Sequence, residues 1–421
     1  MSRASRSESA VARSFDRMWA DLTPIGRNPS TSGYRRFAWT PEDLTLREWF
    51  ASECAARGLD LVEDRAGNQW AWWGNPDATP GLVLGSHLDS VADGGAFDGP
   101  LGVVSAFAAL DTLRDNGFQP SMPLGIANFV DEEGGRFGIA CAGSRILTGV
   151  LDPERARALR DDDRVTMAEA LRAAGRDPEA LGPDPEALRR VAAYVELHVE
   201  QGRALCTEPD DPFGDPAGWD PNRAVAIGTE IWPHGRWQID LFGEANHAGT
   251  TRLEDRVDAM LEFASVVASA RVLARDSGCV ATVGKVVARP NAVNAIPEHV
   301  TAWLDARGPD ADAVRGLVDT IRGELSEDGG TGSVNEDSWT PATVFDPALR
   351  QRISRVLPDA PLLATGAGHD AGILANAGVP TAMLFVRNPT GVSHSPMEQA
   401  LPEDCRRGVE ALAAVIEDLA G

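Results

Sequence analysis

Seven histidines occur in this 421-residue chain, and three of them are candidate metal ligands. His87, His198 and His394 each follow an apolar stretch or sit in a glycine-rich turn. Asp98 lies in "GGAFDGPLG", and Glu132 and Glu133 lie in "DEEGGRFG". Imidazoles and carboxylates together make a donor set suited to zinc, manganese, cobalt or nickel. Asp131, Glu132 and Glu133 stand side by side after an apolar run. Like charges repel, so such bunching calls for a cation nearby. "HLD" puts Asp89 two residues past His87, where a carboxylate is available to fix the tautomer of a metal-bound imidazole. The glycines around Asp98 let the backbone fold tightly about an ion. One histidine at a strand end is more often structural than ligating; the case here is the ensemble.

These residues need elements that bring them together. "GLVLGSHLDS" (Gly81 to Ser90) reads as a buried strand ending in polar residues. "GPLGVVSAFAALDTLRDNG" has helical spacing and a glycine stop. "MPLGIANFVDEEGG" and "VAAYVELHVEQG" repeat the strand-then-polar pattern. Strands alternating with helices predict an α/β domain with a mainly parallel sheet and helices on both faces. In such sheets chemistry gathers at the carboxyl ends of the strands. Residues 1–222 form the first segment of this catalytic domain, ending in the turn-rich loop Thr207–Pro221. The texture then changes, and residues 223–334 predict a smaller inserted α+β domain with the order βαββα. Residues 335–421 return to the first style as the second catalytic segment.

A net charge of −24 argues against nucleic acid and anionic membranes as partners. It leaves room for a small anionic substrate, because a local Arg can dominate inside a cleft. No apolar stretch reaches the length of a membrane helix, and the first residues lack the apolar core of a signal peptide, so a cytoplasmic protein is expected. The five cysteines are scattered and form no CxxC pair, which speaks against a disulfide framework. "GGAFDGPLG" opens a helix but lacks GxGxxG, which discounts a dinucleotide fold.

"GSHLDSVADGGAFDGPLGV", "DEEGGRFG", "ELHVEQG", "NHAGTT", "GAGHDA" and "GVSHSP" occur in this order. From about Arg35 onward the chain resembles the ureido-hydrolysing branch of the aminoacylase/dipeptidase metallopeptidases, which includes allantoate amidohydrolase, N-carbamoyl-L-amino-acid hydrolase and β-ureidopropionase. The resemblance implies two divalent metal ions per chain, zinc or manganese, cobalt or nickel. His87, Asp98 and His198 would hold one, and Asp98, Glu133 and His394 the other, with Asp98 shared. His198 takes a place that a carboxylate fills in many peptidase relatives. Glu132 would stay free as general base for a water made acidic by the cations. Gln201 would touch substrate beside the metals. His247 would be the oxyanion histidine. Asn294, Arg307 and Gly368 would receive a substrate carboxylate, Arg307 through its bidentate fork. The resemblance further implies a homodimer through the inserted domain, in which His247 completes the partner's site.

Three features depart from the family pattern: Arg252 after "HAGTT", "VRN" (Val386 to Asn388) before the last motif, and the loop Thr207–Pro221. His369 and Asp370 are expected to shape their loop, and His234 and His299 to be surface residues. The expected activity is cleavage of the ureido C–N bond of a small ureido acid, with release of ammonia and carbon dioxide. Arg387 and Asn388, if they face the site, would suit a polar second arm and incline the choice to allantoate. The alternatives are N-carbamoyl-L-amino acids or β-ureidopropionate, and, more remotely, dipeptides or N-acyl amino acids. A non-catalytic binding module would not need Glu132 beside Glu133.

Overall fold

The structure, a computed structural model, describes residues 3–206, 223–326 and 332–421, with side chains from Arg13 onward. The boundary loop expected at Thr207–Pro221 lies outside the described residues. Contacts divide the chain into two compact units. One holds the chain up to Thr229, Val344–Leu363 and Gly368–Gly421; the other holds Glu230–Thr343 and Ala364–Ala367.

The first six strands are β1 (Asp60–Glu63), β2 (Gln69–Trp73), β3 (Gly81–His87), β4 (Leu124–Phe129), β5 (Val191–Val199) and β6 (Val225–Ile231). The second unit adds β7 (His234–Phe242), β8 (Asn246–His247), β9 (Val280–Arg289), β10 (Ala295–Ile296), β11 (His299–Arg307) and β12 (Ser333–Thr340). The chain then forms β13 (Thr343–Val344), β14 (Leu362–Thr365) and β15 (Thr381–Val386). A nine-stranded sheet runs in the order β1-β2-β4-β3-β5-β15-β6-β13, with β14 also on β6. Its central strands β4, β3, β5 and β15 are parallel neighbours. β1 pairs with β2, β2 with β4 and β6 with β15 in antiparallel fashion.

Central parallel strands are covered on both faces, so their sequences are apolar nearly throughout. Every residue of β3, β4 and β15 is buried. In β5 successive side chains point to opposite faces. Val195, Leu197 and Val199 join the apolar core with the helices Pro100–Asp115 and Pro402–Ala420. Glu196 and His198 therefore point to the other face, where the helix Asp370–Asn376 begins: Ala371 N–H donates to Glu196 Oε2 at 3.1 Å. One face of β5 is thus packing, and the other is chemistry.

In the second unit a four-stranded antiparallel sheet runs β12-β7-β11-β9. The helices Ala259–Ser277 and Ala311–Glu324 supply Val266, Ala270, Leu317 and Ile321 to a core with Trp237, Ile239, Val300 and Leu304. The alternate residues of β7 and β11, among them Gln238, Asp240, Thr301 and Arg307, are less buried. The expected βαββα order is followed by a further strand, β12, at one edge. No helix among the described residues is long and apolar enough to cross a membrane.

Candidate active site

The carboxyl ends of four neighbouring strands bring the acids and imidazoles of the first unit together. His87 is the last residue of β3, and His198 is next to last in β5. Glu132 and Glu133 follow β4 through a turn in which Asp131 has φ +55°. His394 lies beyond β15 with φ +54°. Such left-handed backbone costs a non-glycine residue on the order of 1–3 kcal/mol and gathers at functional sites. Asp98 lies two residues before the helix Pro100–Asp115. Between them Gly99 has φ +86°, and a Cβ there would stand 2.4 Å from the His87 ring, so only glycine lets the loop pass.

Asp98 is the centre of the arrangement. Its Oδ1 lies 3.0 Å from His198 Nε2 and 3.7 Å from His87 Nε2. Its Oδ2 lies 3.4 Å from His394 Nε2, which in turn is 3.2 Å from Glu133 Oε2. One carboxylate thus turns one oxygen to each of two groups: His87, Asp98 and His198, and Asp98, Glu133 and His394. Gln201 Nε2 donates to Asp98 Oδ2 at 2.8 Å.

These residues fit divalent ions. His87 Nδ1 donates to the Asp89 carbonyl at 3.2 Å, and His198 Nδ1 to the Val199 carbonyl at 2.8 Å. In the neutral ring a proton on Nδ1 leaves Nε2 with a bare lone pair. Both Nε2 atoms are buried without a hydrogen-bond partner among the described residues. Lone pairs aimed at a carboxylate oxygen are unfavourable unless a cation lies between them. Ligands each about 2.0–2.1 Å from one ion stand roughly 3–3.5 Å apart, near the spacings found.

The acids and imidazoles also act on one another's charge. Burial opposes the charge of Asp98, but His198, His394 and His87 outweigh it and hold the carboxyl well below its usual range. Hydrogen bonds to Asp98 and Glu133 push His394 to about 11. Burial pushes Glu132 well above its usual range, with His87 pulling the other way. Glu132 Oε2 stands 3.7 Å from His87 Nε2, and Cys141 Sγ donates to its Oε1 at 3.3 Å. Asp89, expected to serve His87, reaches further: its two oxygens accept the main-chain N–H groups of Glu132 and Glu133.

A third group, Glu196, His198 and His369, also lies within ligating distance. Its Glu196 oxygens already accept from Ser86 Oγ at 2.7 Å and from Ala371 N–H. His198 has one nitrogen to give, and that faces Asp98. The first two groups are therefore the better-formed pair. The centre of the His369 ring lies 4.5 Å from that of the His198 ring.

In the second unit, His247 of β8 pairs with Ala295 of β10. Gly249 N–H donates to His247 Nδ1 at 3.0 Å. That bond sets the neutral ring with its proton on Nε2, the form that can donate to an oxyanion. Ala248 N–H donates to the Asn294 carbonyl at 3.0 Å, so His247 and Asn294 sit on adjoining turns. Arg307 ends β11 with Nε and Nη2 on Asp305 at 2.6 and 2.9 Å, and Nη1 donates to the Gly366 carbonyl. Gly368, in the first unit, is exposed, with open space where a Cβ would stand.

Three expectations change. Arg387 does not offer itself to a substrate: it is buried, with Nε and Nη2 on Asp404 at 2.9 and 2.8 Å. Asn388 is likewise engaged, its Oδ1 accepting Thr390 and Gly391 N–H and its Nδ2 donating to the Val392 carbonyl. His234 and His299 are half-buried rather than open; His299 stacks on Phe242 and reaches Asp240 at 2.8 Å. Arg252, the other departure, is exposed and paired with Asp255 and Glu254. Sequence reasoning passed over Cys141, Ser393 and Glu398. Only Glu398 left a trace, as an acid four residues after His394.

The model of Peptidase family M20/M25/M40 matches residues 83–418, a span that contains every ligand candidate. The chain belongs to this family. It is accordingly a metal-dependent hydrolase of C–N bonds. Among M20 relatives, an N-carbamoyl-L-amino acid amidohydrolase of Geobacillus stearothermophilus is 36% identical over 96% of this chain and 98% of its own length. An allantoate amidohydrolase of Escherichia coli strain K12 is 30% identical over 95% of this chain and 96% of its own. A crystal structure of a hydantoinase/carbamoylase family amidase from Burkholderia multivorans has a TM-score of 0.81 and 28% identity, covering 96% of this chain and 97% of that one.

Proposed function

We propose that this M20 protein is a binuclear-metal amidohydrolase that cleaves the ureido C–N bond of a small ureido acid. The observation that carries the reading is the divided carboxylate of Asp98, with an imidazole-bearing group on each oxygen and Glu132 beside them. His87, Asp98 and His198 would hold one divalent ion, and Asp98, Glu133 and His394 the other. Such ions supply Lewis acidity, lowering the pKa of water and polarising a carbonyl.

The chain's own groups do the rest. Glu132 takes a proton from the attacking water and returns it to the leaving nitrogen, so ammonia departs. The remaining N-carboxylate releases carbon dioxide and the free amine. Burial among apolar and acidic neighbours keeps the Glu132 carboxyl basic enough for this work. His247 donates its Nε2 proton to the carbonyl oxygen as negative charge grows there. The resemblance assigns Arg307, Asn294 and the Gly368 N–H to the substrate carboxylate; Asp305 already takes Arg307 Nε and Nη2, so Arg307 would use the N–H groups that Asp305 and Gly366 leave.

For the substrate's second arm, the reading moves to an N-carbamoyl-L-amino acid. The polar groups that inclined the choice to allantoate, Arg387 and Asn388, are engaged within the fold. The relative at 36% identity carries the carbamoyl-amino-acid name. Allantoate remains the second reading, favoured by the relative at 30%.

Homodimerisation through the second unit belongs to the same proposal. β9 is an edge strand with exposed Val280, Val286 and Val287. The helix Ala259–Ser277 exposes Leu261, Val267 and Val272. An unpaired apolar edge is a template for pairing with a second copy.

The test measures ammonia released by metal-loaded enzyme from N-carbamoyl-L-methionine and allantoate, and free methionine released from N-acetyl-L-methionine. Ureido hydrolysis predicts ammonia from one of the first two and no deacylation of the third. A higher kcat/KM for the acetyl compound would make the protein a deacylase instead.

A further inference from the structure

We propose that Glu398 is a positioning residue for the metal centre, joining the loop that carries Asp98 to the loop that carries His394. The proposal rests on reading those two residues as metal ligands. Glu398 Oε1 accepts the main-chain N–H of Phe97 at 2.8 Å and of Asp98 at 3.0 Å. Its Oε2 lies 3.1 Å from Ser393 Oγ, and that hydroxyl lies 2.9 Å from Asp98 Oδ2. A hydroxyl has one proton to donate, so Ser393 can bond only one of these carboxylates at a time. Either way it sits in a continuous chain of polar atoms from Glu398 to the oxygen that faces His394.

The loop is shaped to receive this carboxylate. A Cβ at Gly95 would stand 2.3 Å from Glu398 Oε1 and 2.4 Å from its carboxyl carbon. Gly95 in "GGAFDG" therefore leaves room for a side chain three hundred residues away. Glu398 is buried, at 4% exposure. A buried carboxylate is costly unless hydrogen-bonded, and charge-assisted bonds to main-chain N–H are among the stronger ones.

The ligand it serves needs an anchor. The His394 side chain is 49% exposed, and its backbone is left-handed. Ser393 Oγ and Gln201 Nε2 reach the Asp98 side chain but not the main chain of its loop. Four residues past His394, Glu398 fixes the same loop to the peptide groups of Phe97 and Asp98. Removing that tie frees Asp98 Oδ2 and His394 to drift apart, while the His87 and His198 side of Asp98 keeps its own strands.

The experiment compares wild type, Glu398→Ala, Glu398→Gln and Gly95→Ala. Zinc and manganese affinities of the apo-proteins are measured by chelator competition, alongside the apo Tm. Glu398→Ala should bind one ion as wild type does and the other roughly 10- to 100-fold more weakly. Glu398→Gln should restore affinity, because its amide oxygen still accepts both N–H groups. Gly95→Ala, which crowds the carboxylate from the other side, should also weaken one ion, and it decides the matter if Glu398→Ala does not fold. Unchanged affinity for both ions in Glu398→Ala and Gly95→Ala overturns the proposal, even where Tm falls. So does a Gln variant as weak as the Ala variant. A wild-type chain that binds no ion overturns the ligand reading and this proposal together.

Discussion

Asp89 accepts the main-chain N–H of Glu132 at 3.1 Å through one carboxylate oxygen. Its other oxygen accepts that of Glu133 at the same distance, and its own carbonyl accepts from His87 Nδ1. One residue thus sets the tautomer of a proposed ligand and the spacing of the two adjacent glutamates. Asp89→Ala keeps the carbonyl that serves His87 but removes both bonds to the glutamate turn, so metal affinity or turnover should fall by about 10- to 100-fold, the range for losing an outer partner of a ligand such as Glu133. Metal content and kcat, measured on the same preparation, check this. Wild-type values for both would mean that the turn holds without Asp89.

Glu132 and Glu133 should separate cleanly. Glu132→Gln keeps the size of the side chain and removes the proton acceptor, so turnover should fall by roughly 10²- to 10⁴-fold with both ions retained. Glu133→Gln should instead weaken the ion shared with His394. Elemental analysis beside steady-state kinetics distinguishes the two. Equal metal loss in both variants would contradict the division of labour.

That division was only half legible in the sequence. The strand-then-polar pattern announced His87, Glu132, Glu133 and His198, because parallel strands are apolar until they reach their carboxyl ends. Alternation in "VELHVEQ" even separates Val195 and Leu197 from Glu196 and His198. What could not be read was contact between distant loops. Glu398 meets Phe97 and Asp98 across three hundred residues, with no periodic signal to mark it. Arg387 differs for a related reason. As a departure from the family pattern before the last motif it suggests a substrate contact if it faces inward, whereas its partner, Asp404, opens the last helix. Sequence alone does not say which neighbour claims a guanidinium first.

Chelation offers a direct check on the ligand groups. Removing divalent ions should abolish activity, and zinc, manganese, cobalt or nickel should restore it. The apo-protein should remain folded, because the strands that carry His87 and His198 are held by an extensive apolar core. Fully active enzyme shown to be free of transition metal would refute the proposed centre.

Assembly can be tested by complementation. Glu132→Gln and His247→Ala chains should each be nearly inactive, for different reasons. If His247 acts on the partner's site, mixed dimers should regain part of the activity, since one of their two sites has both residues intact. A charged substitution on the exposed edge of β9, such as Val286→Lys, should shift the protein towards monomer and lower activity with it. Proven subunit exchange without any recovery would exclude action in trans.

Arg387 separates stability from specificity. Its guanidinium and the Asp404 carboxylate are 4% and 5% exposed and bonded through two nitrogens. Arg387→Met removes one partner and leaves the other charge buried and unpaired, a change that costs about 3–5 kcal/mol in comparable pairs. The expected result is a clear fall in unfolding free energy, measured in urea, with metal affinity close to wild type. Asp404→Asn in the same background should recover part of the loss, because the stranded charge is then gone. The ratio of kcat/KM for allantoate to that for N-carbamoyl-L-methionine should not move, since the guanidinium is committed to Asp404. A tenfold change in that ratio without loss of stability would return Arg387 to the substrate and revive the case for a polar second arm.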